Sequence, residues 1–378
     1  MSINLTKSDR AFPALVMAWT FSLIFSIVIA EALAAVLGLI WLWLRRRQPQ
    51  AASTLHFPVL IFCGLRLLTI ATALSPATSL HALRKIPFML VFLPISYWAS
   101  RSGAPEVIRW LRILVLAGIA ASAFGLVKIG VIGLHRLHST TAGPTTLAMF
   151  LAVSFVAGLT LFIHGLSVHK KFLLAGLASM LLAMAFTYCR TPWLAAGLVG
   201  LGLLWLHARR HALILLAAIA AILAVVPGFR MRYQEAVQWP YALGDRPVIW
   251  QKGWELVPAR PLLGYGPGSF HLIFDQQYRL RDRQVGAWHN FVLQLWIESG
   301  LAGVLALGWI LWRASRIALT QMHLGSPAWP ATEALVAGLL VLLLAGLAGG
   351  LIGDPIIDML FWSMLGVLSG LEEKNLVF

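Results

Sequence analysis

The sequence predicts an all-α fold: a polytopic transmembrane helical bundle of about twelve spans, with eleven as the alternative, and one large structured loop on the extracytoplasmic side. Three observations predict it. Of 378 residues, 60% are apolar and only 11% charged, against the roughly 25% that a soluble domain needs to cover its surface. Apolar runs of spanning length recur along the whole chain. Sixteen tryptophans suit a protein with two membrane interfaces, where indole rings settle among the headgroups.

The same numbers exclude other classes. The formal net charge is +15, which in a soluble chain would suggest nucleic acid. Here the basic residues sit mostly in short loops between apolar runs, where orientation and anionic lipid account for them. Cys63 and Cys189 both lie in apolar segments, so neither a disulfide framework nor a zinc-cysteine site is expected. The first apolar run is too long for a signal h-region. No internal repeat or low-complexity segment is visible.

The runs fall at 11–44, 55–75, 86–100, 107–133, 145–166, 171–188, 192–207, 211–228, 290–312, 331–352 and 355–371. The first would make a helix of roughly 51 Å, against a hydrocarbon core of about 30 Å. Either one helix tilts and overhangs, or two short passes share the run. Residues 1–228 thus form N-terminal helices, 229–288 the large loop, and 289–378 C-terminal helices, all in one integral membrane domain. Arg45, Arg46, Arg47, Arg101, Arg109, Arg112, Lys170, Lys171, Arg209, Arg210, Arg313 and Arg316 fall on alternating junctions and are assigned to the cytoplasm. The C-terminus then lies inside. Lys7 and Arg10 inside require an even number of spans, which favours two passes in 11–44.

Arg84 with Lys85, Arg136, Arg190 and Arg246 map to the outer face. An arginine there gains nothing from the inner leaflet, and near a helix end in lipid it costs about 2–3 kcal/mol unless solvated or paired. Each could snorkel to the headgroups; several at one depth would make a receptor for a multiply charged anion.

Within the loop, Asp245 can cap a helix with Pro247 in its first turn. Trp250, Trp254 and Val257 share one face, and Pro258 and Pro261 end the helix. Such a helix is expected to lie in the membrane interface, as an anchor or as the floor of a site. Gly264-Tyr265-Gly266-Pro267-Gly268-Ser269-Phe270 permits a close-approach backbone that could cradle an anion or simply turn. It is neither a Walker loop nor a dinucleotide fingerprint.

Trp288-His289-Asn290 stands where the loop re-enters the membrane. Asn290 suits the N-cap of the following helix. His289 then sits at the positive end of a helix dipole, which favours a neutral ring that can accept a proton. A histidine merely bonded at the interface fits equally well. His207 and His211 have i, i+4 spacing, and His135 and His138 lie close together, but neither pair has a metal-ligand context. Asp354 and Asp358 share a helix face and are expected to pair with the outer arginines. Glu31 and Arg66 lie deep in their spans and are expected to pair with each other. No HExxH, serine elbow or zinc spacing is present.

Four ordered elements carry a resemblance. They are Tyr188-Cys189-Arg190-Thr191; Asp245-Arg246-Pro247-Val248-Ile249-Trp250; Pro261 to Phe270, a Pro-x-x-Gly-x-Gly-x-Gly-x-Phe pattern; and His289-Asn290 followed by Glu298-Ser299-Gly300-Leu301-Ala302-Gly303. Together they resemble the O-antigen ligase superfamily, which also holds O-antigen polymerases and O-oligosaccharyltransferases, and are most like the ligases. Where many relatives carry asparagine, the stretch Gly143-Pro144-Thr145-Thr146 has threonines, which places Arg136 less firmly than Arg190 or Arg246.

The resemblance implies a glycosyltransferase of the bacterial inner membrane, multi-pass, with its site facing the periplasm. The donor would be a glycan on undecaprenyl diphosphate and the acceptor lipid A–core, amid membrane lipids, with no nucleic acid, cofactor or metal. Arg136, Arg190, Arg246 and Arg84 would bind the diphosphate. Arg190 and Arg246 would also act catalytically with His289, the general base. Asn290, Trp250 and Gly266 would support the site. A polymerase would use another carrier-linked glycan as acceptor, and an oligosaccharyltransferase a protein hydroxyl. From a different class, a flippase or transporter would use Glu31, Arg66 and Lys128 as a path and show inverted repeats. A non-catalytic scaffold would leave His289 away from the outer arginines.

Overall fold

The computed structural model describes residues 7–48, 53–84, 86–132, 136–138, 140, 143–225, 246–274, 287–351 and 353–376. Lys85, His135, Asp245 and the loop stretches 229–245 and 275–286 lie outside them. Among the described residues all regular structure is helical. In order, the helices are α1 (Lys7–Ser22), α2 (Ile27–Arg47), α3 (His56–Leu68), which a 3-10 turn (Thr69–Thr72) extends, α4 (Pro76–Leu83), α5 (Ile86–Leu90), α6 (Phe92–Arg101), α7 (Ala104–Ile132), α8 (Pro144–Ile163), α9 (Lys170–Thr187), α10 (Arg190–His207) and α11 (Arg209–Val225). There follow α12 (Arg246–Leu256), α13 (Ser269–Phe274), α14 (Phe291–His323), α15 (Trp329–Gly346) and α16 (Pro355–Leu376).

Seven of these, α2, α7, α8, α9, α14, α15 and α16, are long and apolar enough to cross a membrane, so the chain is a polytopic helical membrane protein. Ala11–Ser22 and His56–Thr72 are shorter apolar helices. The first apolar run is divided. Ser26 donates its N–H to Ser22 O (3.0 Å) as α1 ends. Its hydroxyl then accepts from Ile29 N (3.3 Å) to cap α2, and the two helices pack on each other.

Burial sorts the helices. α8 is the hub: its residues from Thr146 to Leu161 are all buried beneath α7, α9, α10 and α15. α2 instead exposes Val28, Leu39 and Leu42, the pattern of a lipid-facing helix. α16 lies closely along α6 because two of its glycines meet backbone there. A Cβ on Gly366 would stand 2.8 Å from Phe92 O, and one on Gly370 2.5 Å from Ser100 N. Small residues four apart allow such an approach, which dispersion then rewards.

α14 is broken at Gly300, with φ +63° and ψ −171°. A break inside a membrane helix frees backbone groups that must find partners. The loop before α13 supplies them. Tyr265 N donates to Ile297 O (2.7 Å) and Gly266 N to Glu298 O (3.1 Å), while Leu301 N donates to Pro261 O (2.7 Å).

The bundle has two distinct poles. Arg101 reaches Gln48, and Arg112 donates to Leu166 O (2.6 Å). These bonds gather the end of α2, the α6–α7 junction and the α8–α9 turn at one basic pole. The starts of α8 and α10, the end of α9 and the start of α16 lie at the other.

Candidate functional site

The second pole is built around a tight turn. α9 ends at Thr187, Tyr188 adopts a left-handed conformation (φ +54°), and α10 starts at Arg190. Thr187 Oγ1 accepts from Cys189 N (3.2 Å), which fixes the turn. Arg136 leans on the same turn: its Nε donates to Thr187 O (2.9 Å), and its Nη2 lies 3.4 Å from Cys189 Sγ. Leu137 N donates to Phe186 O (3.0 Å), so the segment holding Arg136 is pinned to the end of α9.

Arg246, the first residue of α12, completes a group of three. It is half-buried. Burial lowers its pKa from the ordinary arginine value; the positive charge of Arg190 lowers it further, and Cys189 opposes the shift. Arg190 therefore stands within electrostatic range of Arg246, as does Cys189, which Arg136 touches. Among the described residues no carboxylate forms an ion pair with Arg136, Arg190 or Arg246. Arg190 also occupies the first turn of α10, where no side chain caps the helix and the free N–H groups add positive potential. Three guanidinium groups and a helix N-terminus make a natural anion site.

The threonines that stand in place of the relatives' asparagine join this group. Thr145 Oγ1 lies 3.4 Å from Cys189 Sγ. Thr146 bonds to the carboxylate of Asp354. That carboxylate also caps α16, accepting from Ile356 N (3.0 Å) and Ile357 N (3.2 Å). The expected pairing of Asp354 with an outer arginine is not seen among the described residues, because helix capping and Thr146 take its oxygens.

His289 is positioned from both sides. Trp288 is fully buried, and its carbonyl accepts from Trp250 Nε1 (3.0 Å). Asn290 Oδ1 caps α14, accepting from Val292 N (3.0 Å) and Leu293 N (3.1 Å). Between them His289 is held at φ +51°. Tyr188 and His289 are the two non-glycine residues with positive φ among the described residues. Such strain clusters at functional sites, and these two residues flank the arginine turn and the loop's return.

Shared contacts bring the two turns to common neighbours. Trp250, one helical turn beyond Arg246, bonds to the residue preceding His289. The end of α15 fits between the other two: a Cβ on Gly346 would stand 3.0 Å from Phe291 Cδ1, and one on Gly349 3.8 Å from Thr191 Oγ1. Thr191 follows Arg190, and Phe291 lies two residues past His289.

The glycine loop does something other than cradle an anion. Its N–H groups at Tyr265 and Gly266 bond to α14 as described, and Gly268 N points to Glu298 Oε1 (3.4 Å). On its far side Ser79 Oγ donates to Pro267 O (2.9 Å), and Leu74 N donates to Tyr265 O (3.0 Å). Gly266 has φ +90°, and a Cβ there would stand 2.5 Å from Ala73 Cβ. The loop is a clasp between α4 and broken α14. Arg84, at the C-terminal end of α4, is exposed; no contact joins its side chain to the three arginines among the described residues.

Several other expectations change. Arg66 pairs with Glu298, not Glu31: Nη1 lies 3.0 Å from Oε2 and 3.1 Å from Ser299 Oγ. Glu31 is exposed, and Lys128 lies over the Phe124 ring, so the three deep charges form no common path. On α12 the buried residues are Ile249 and Gly253, packed on Leu293 and Ile297. Trp254 is exposed and meets Trp296 edge-on at 5.8 Å. The buried stripe thus lies on another side of the helix and leaves Trp254 outside, because α14 accepts the flat glycine side. His207 turns from His211 to Glu333 (2.8 Å), which also bonds to His164 (2.6 Å).

Sequence reasoning missed Glu298 as the partner of Arg66, Cys189 as the hub of the arginines, and the His164–Glu333 contact. The partners lie far apart in the chain, and no spacing announces them. No curated protein matches the chain. A family model described as "O-Antigen ligase" matches residues 175–308, about a third of the chain. That stretch carries Arg190, Arg246, the glycine clasp, His289 and Asn290, and over it the chain is similar to that family.

Proposed function

We propose that the chain is a membrane glycosyltransferase of the O-antigen ligase type. It moves a glycan from an undecaprenyl-diphosphate carrier onto a hydroxyl of lipid A–core at the periplasmic face of the bacterial inner membrane. The observation that carries this reading is the convergence of Arg136, Arg190 and Arg246 around Cys189 without a carboxylate partner among the described residues. Unneutralised cations beside an apolar bundle call for an anion, and the family supplies one of the right kind: a lipid-anchored diphosphate that reaches the site from the bilayer. The periplasmic assignment is supported by the concentration of loop lysines and arginines at the opposite pole.

The chemistry follows from charge. As the bond between the anomeric carbon and the phosphate oxygen breaks, negative charge grows on the diphosphate. Fixed guanidinium groups that meet this charge are worth on the order of 10²–10³ in rate each. Arg190 and Arg246 would hold the leaving group, with Arg136 bracing the turn and reaching the outer phosphate. His289 would take the proton from the acceptor hydroxyl as its oxygen attacks the anomeric carbon, a contribution of about 10²–10⁴. Direct displacement inverts that centre and releases undecaprenyl diphosphate. Arg84 would steer the donor from the rim. Asn290 and Trp250 fix His289 by the bonds already described, and Gly266 by the clasp.

The test is reconstitution. Purified protein is given carrier-linked glycan and lipid A–core without nucleotide or added metal, and the joined product is sought by gel shift and mass spectrometry. Product is expected, and His289→Ala should abolish it while the protein still inserts and folds. Full activity in that variant would remove His289 from the mechanism. Transfer only to a second carrier-linked glycan or to a protein would make the chain a polymerase or an oligosaccharyltransferase.

A further inference from the structure

We propose that His164, His207 and Glu333 bind one divalent transition-metal ion of the zinc type at the basic pole, where it fastens α8, α10 and α15 together. His164 caps the end of α8, His207 is the last residue of α10, and Glu333 lies near the start of α15. His164 Nε2 stands 2.6 Å from one Glu333 carboxylate oxygen, and His207 Nε2 2.8 Å from the other. The two rings meet at 5.4 Å between centroids. One ligand atom from each residue lies within 4.8 Å of the others.

Two imidazoles and a carboxylate with an open fourth position form a donor set that zinc takes. Zinc bonds of about 2.0–2.2 Å would need these atoms to part by roughly half an ångström, which side-chain rotation supplies. Glu333 is largely enclosed, with its side chain 9% exposed, whereas His207 is 31% exposed, so water can reach the fourth position. Among the described residues no lysine or arginine pairs with Glu333. The nearby Arg209 lies over Trp205 instead. A buried carboxylate facing only imidazoles gains most from a doubly charged ion. The site is separated from Arg190 by the length of α10, 18 residues or roughly 27 Å. It therefore braces the bundle and takes no part in glycan transfer.

The full chain, purified with a tag that contains no histidine and stripped by chelator, is titrated with Zn²⁺ by calorimetry and with Co²⁺ by visible absorption. One ion per chain is expected, together with the ligand-field bands of four- or five-coordinate cobalt and a rise in thermal midpoint on adding Zn²⁺. The His164→Ala/His207→Ala double variant should lose the cobalt bands and the midpoint rise. Glu333→Gln keeps the volume and an amide that can bond to a histidine, so it serves even if the double variant fails to insert. It should weaken binding by more than about tenfold, since even outer partners of a metal ligand are worth that much. No stoichiometric uptake, or an unchanged cobalt spectrum in Glu333→Gln, overturns the proposal. Neither result bears on transfer at the arginine pole, which is assayed separately.

Discussion

Arg66 is buried and Arg246 half-buried, and their surroundings treat the two arginines in opposite ways. Arg66 is 5% exposed and meets the carboxylate of Glu298 at 3.0 Å. Glu298 also accepts from Gln294 (3.1 Å), and its backbone carbonyl takes the N–H of Gly266. That charge is neutralised and its neighbourhood is locked. Arg246 feels Arg190, a like charge, and the influence opposing it is a cysteine. A closed ion pair specifies how α3, α14 and the glycine clasp fit together. An open cluster of cations is destabilised until an anion arrives. The difference separates a joint from a proposed receptor.

The contrast predicts opposite responses to mutation. Glu298→Ala should be the most damaging single change to the fold. It leaves Arg66 buried without a counter-charge, at a cost of about 3–5 kcal/mol, read as a fall in unfolding midpoint in detergent. Arg66→Met with Glu298→Leu should recover much of that loss; no recovery would mean that the bonds to Ser299 and the clasp matter more than the charges. Arg246→Ala should do the reverse. Transfer should fall by about 10²–10³, while the unfolding midpoint holds or rises, because a repulsion with Arg190 is removed. A loss of stability as large as that of Glu298→Ala would turn the receptor into another joint. The smallest effect is expected at Asn290, which lies between the two regions. Asn290→Ala forfeits two cap bonds to α14, worth about 1 kcal/mol. Because that cap also orients His289, transfer should fall more than stability does.

Much of the fold was legible because lipid imposes a strong rule: a spanning segment must be apolar and helical. The runs at 107–133, 145–166 and 331–352 became α7, α8 and α15 with ends shifted by a few residues. Asn290 marked a helix start because capping is local chemistry. Arg190 stood out as a charge at the end of an apolar run and Arg246 as one in the outer loop, and the structure puts them within electrostatic range of each other. The glycine loop was visible, but its task was not, since its partner is a helix break some 35 residues later. The inner side of α12 was not visible in the sequence for a similar reason: α14 packs where Gly253 leaves room, and that partner lies some 40 residues away.

By itself the sequence determined the helical membrane class, the basic loops that set the two poles, and the cationic residue types of the candidate site. These follow from composition and local order, which act within one segment. Only the tertiary structure decided which charges are paired: Arg66 with Glu298 rather than Glu31, Glu333 with two histidines, and Arg136, Arg190 and Arg246 with no carboxylate among the described residues. Pairing depends on distances between helices remote in the chain. In a bundle those distances are set by where small residues let backbones approach, which no single segment encodes.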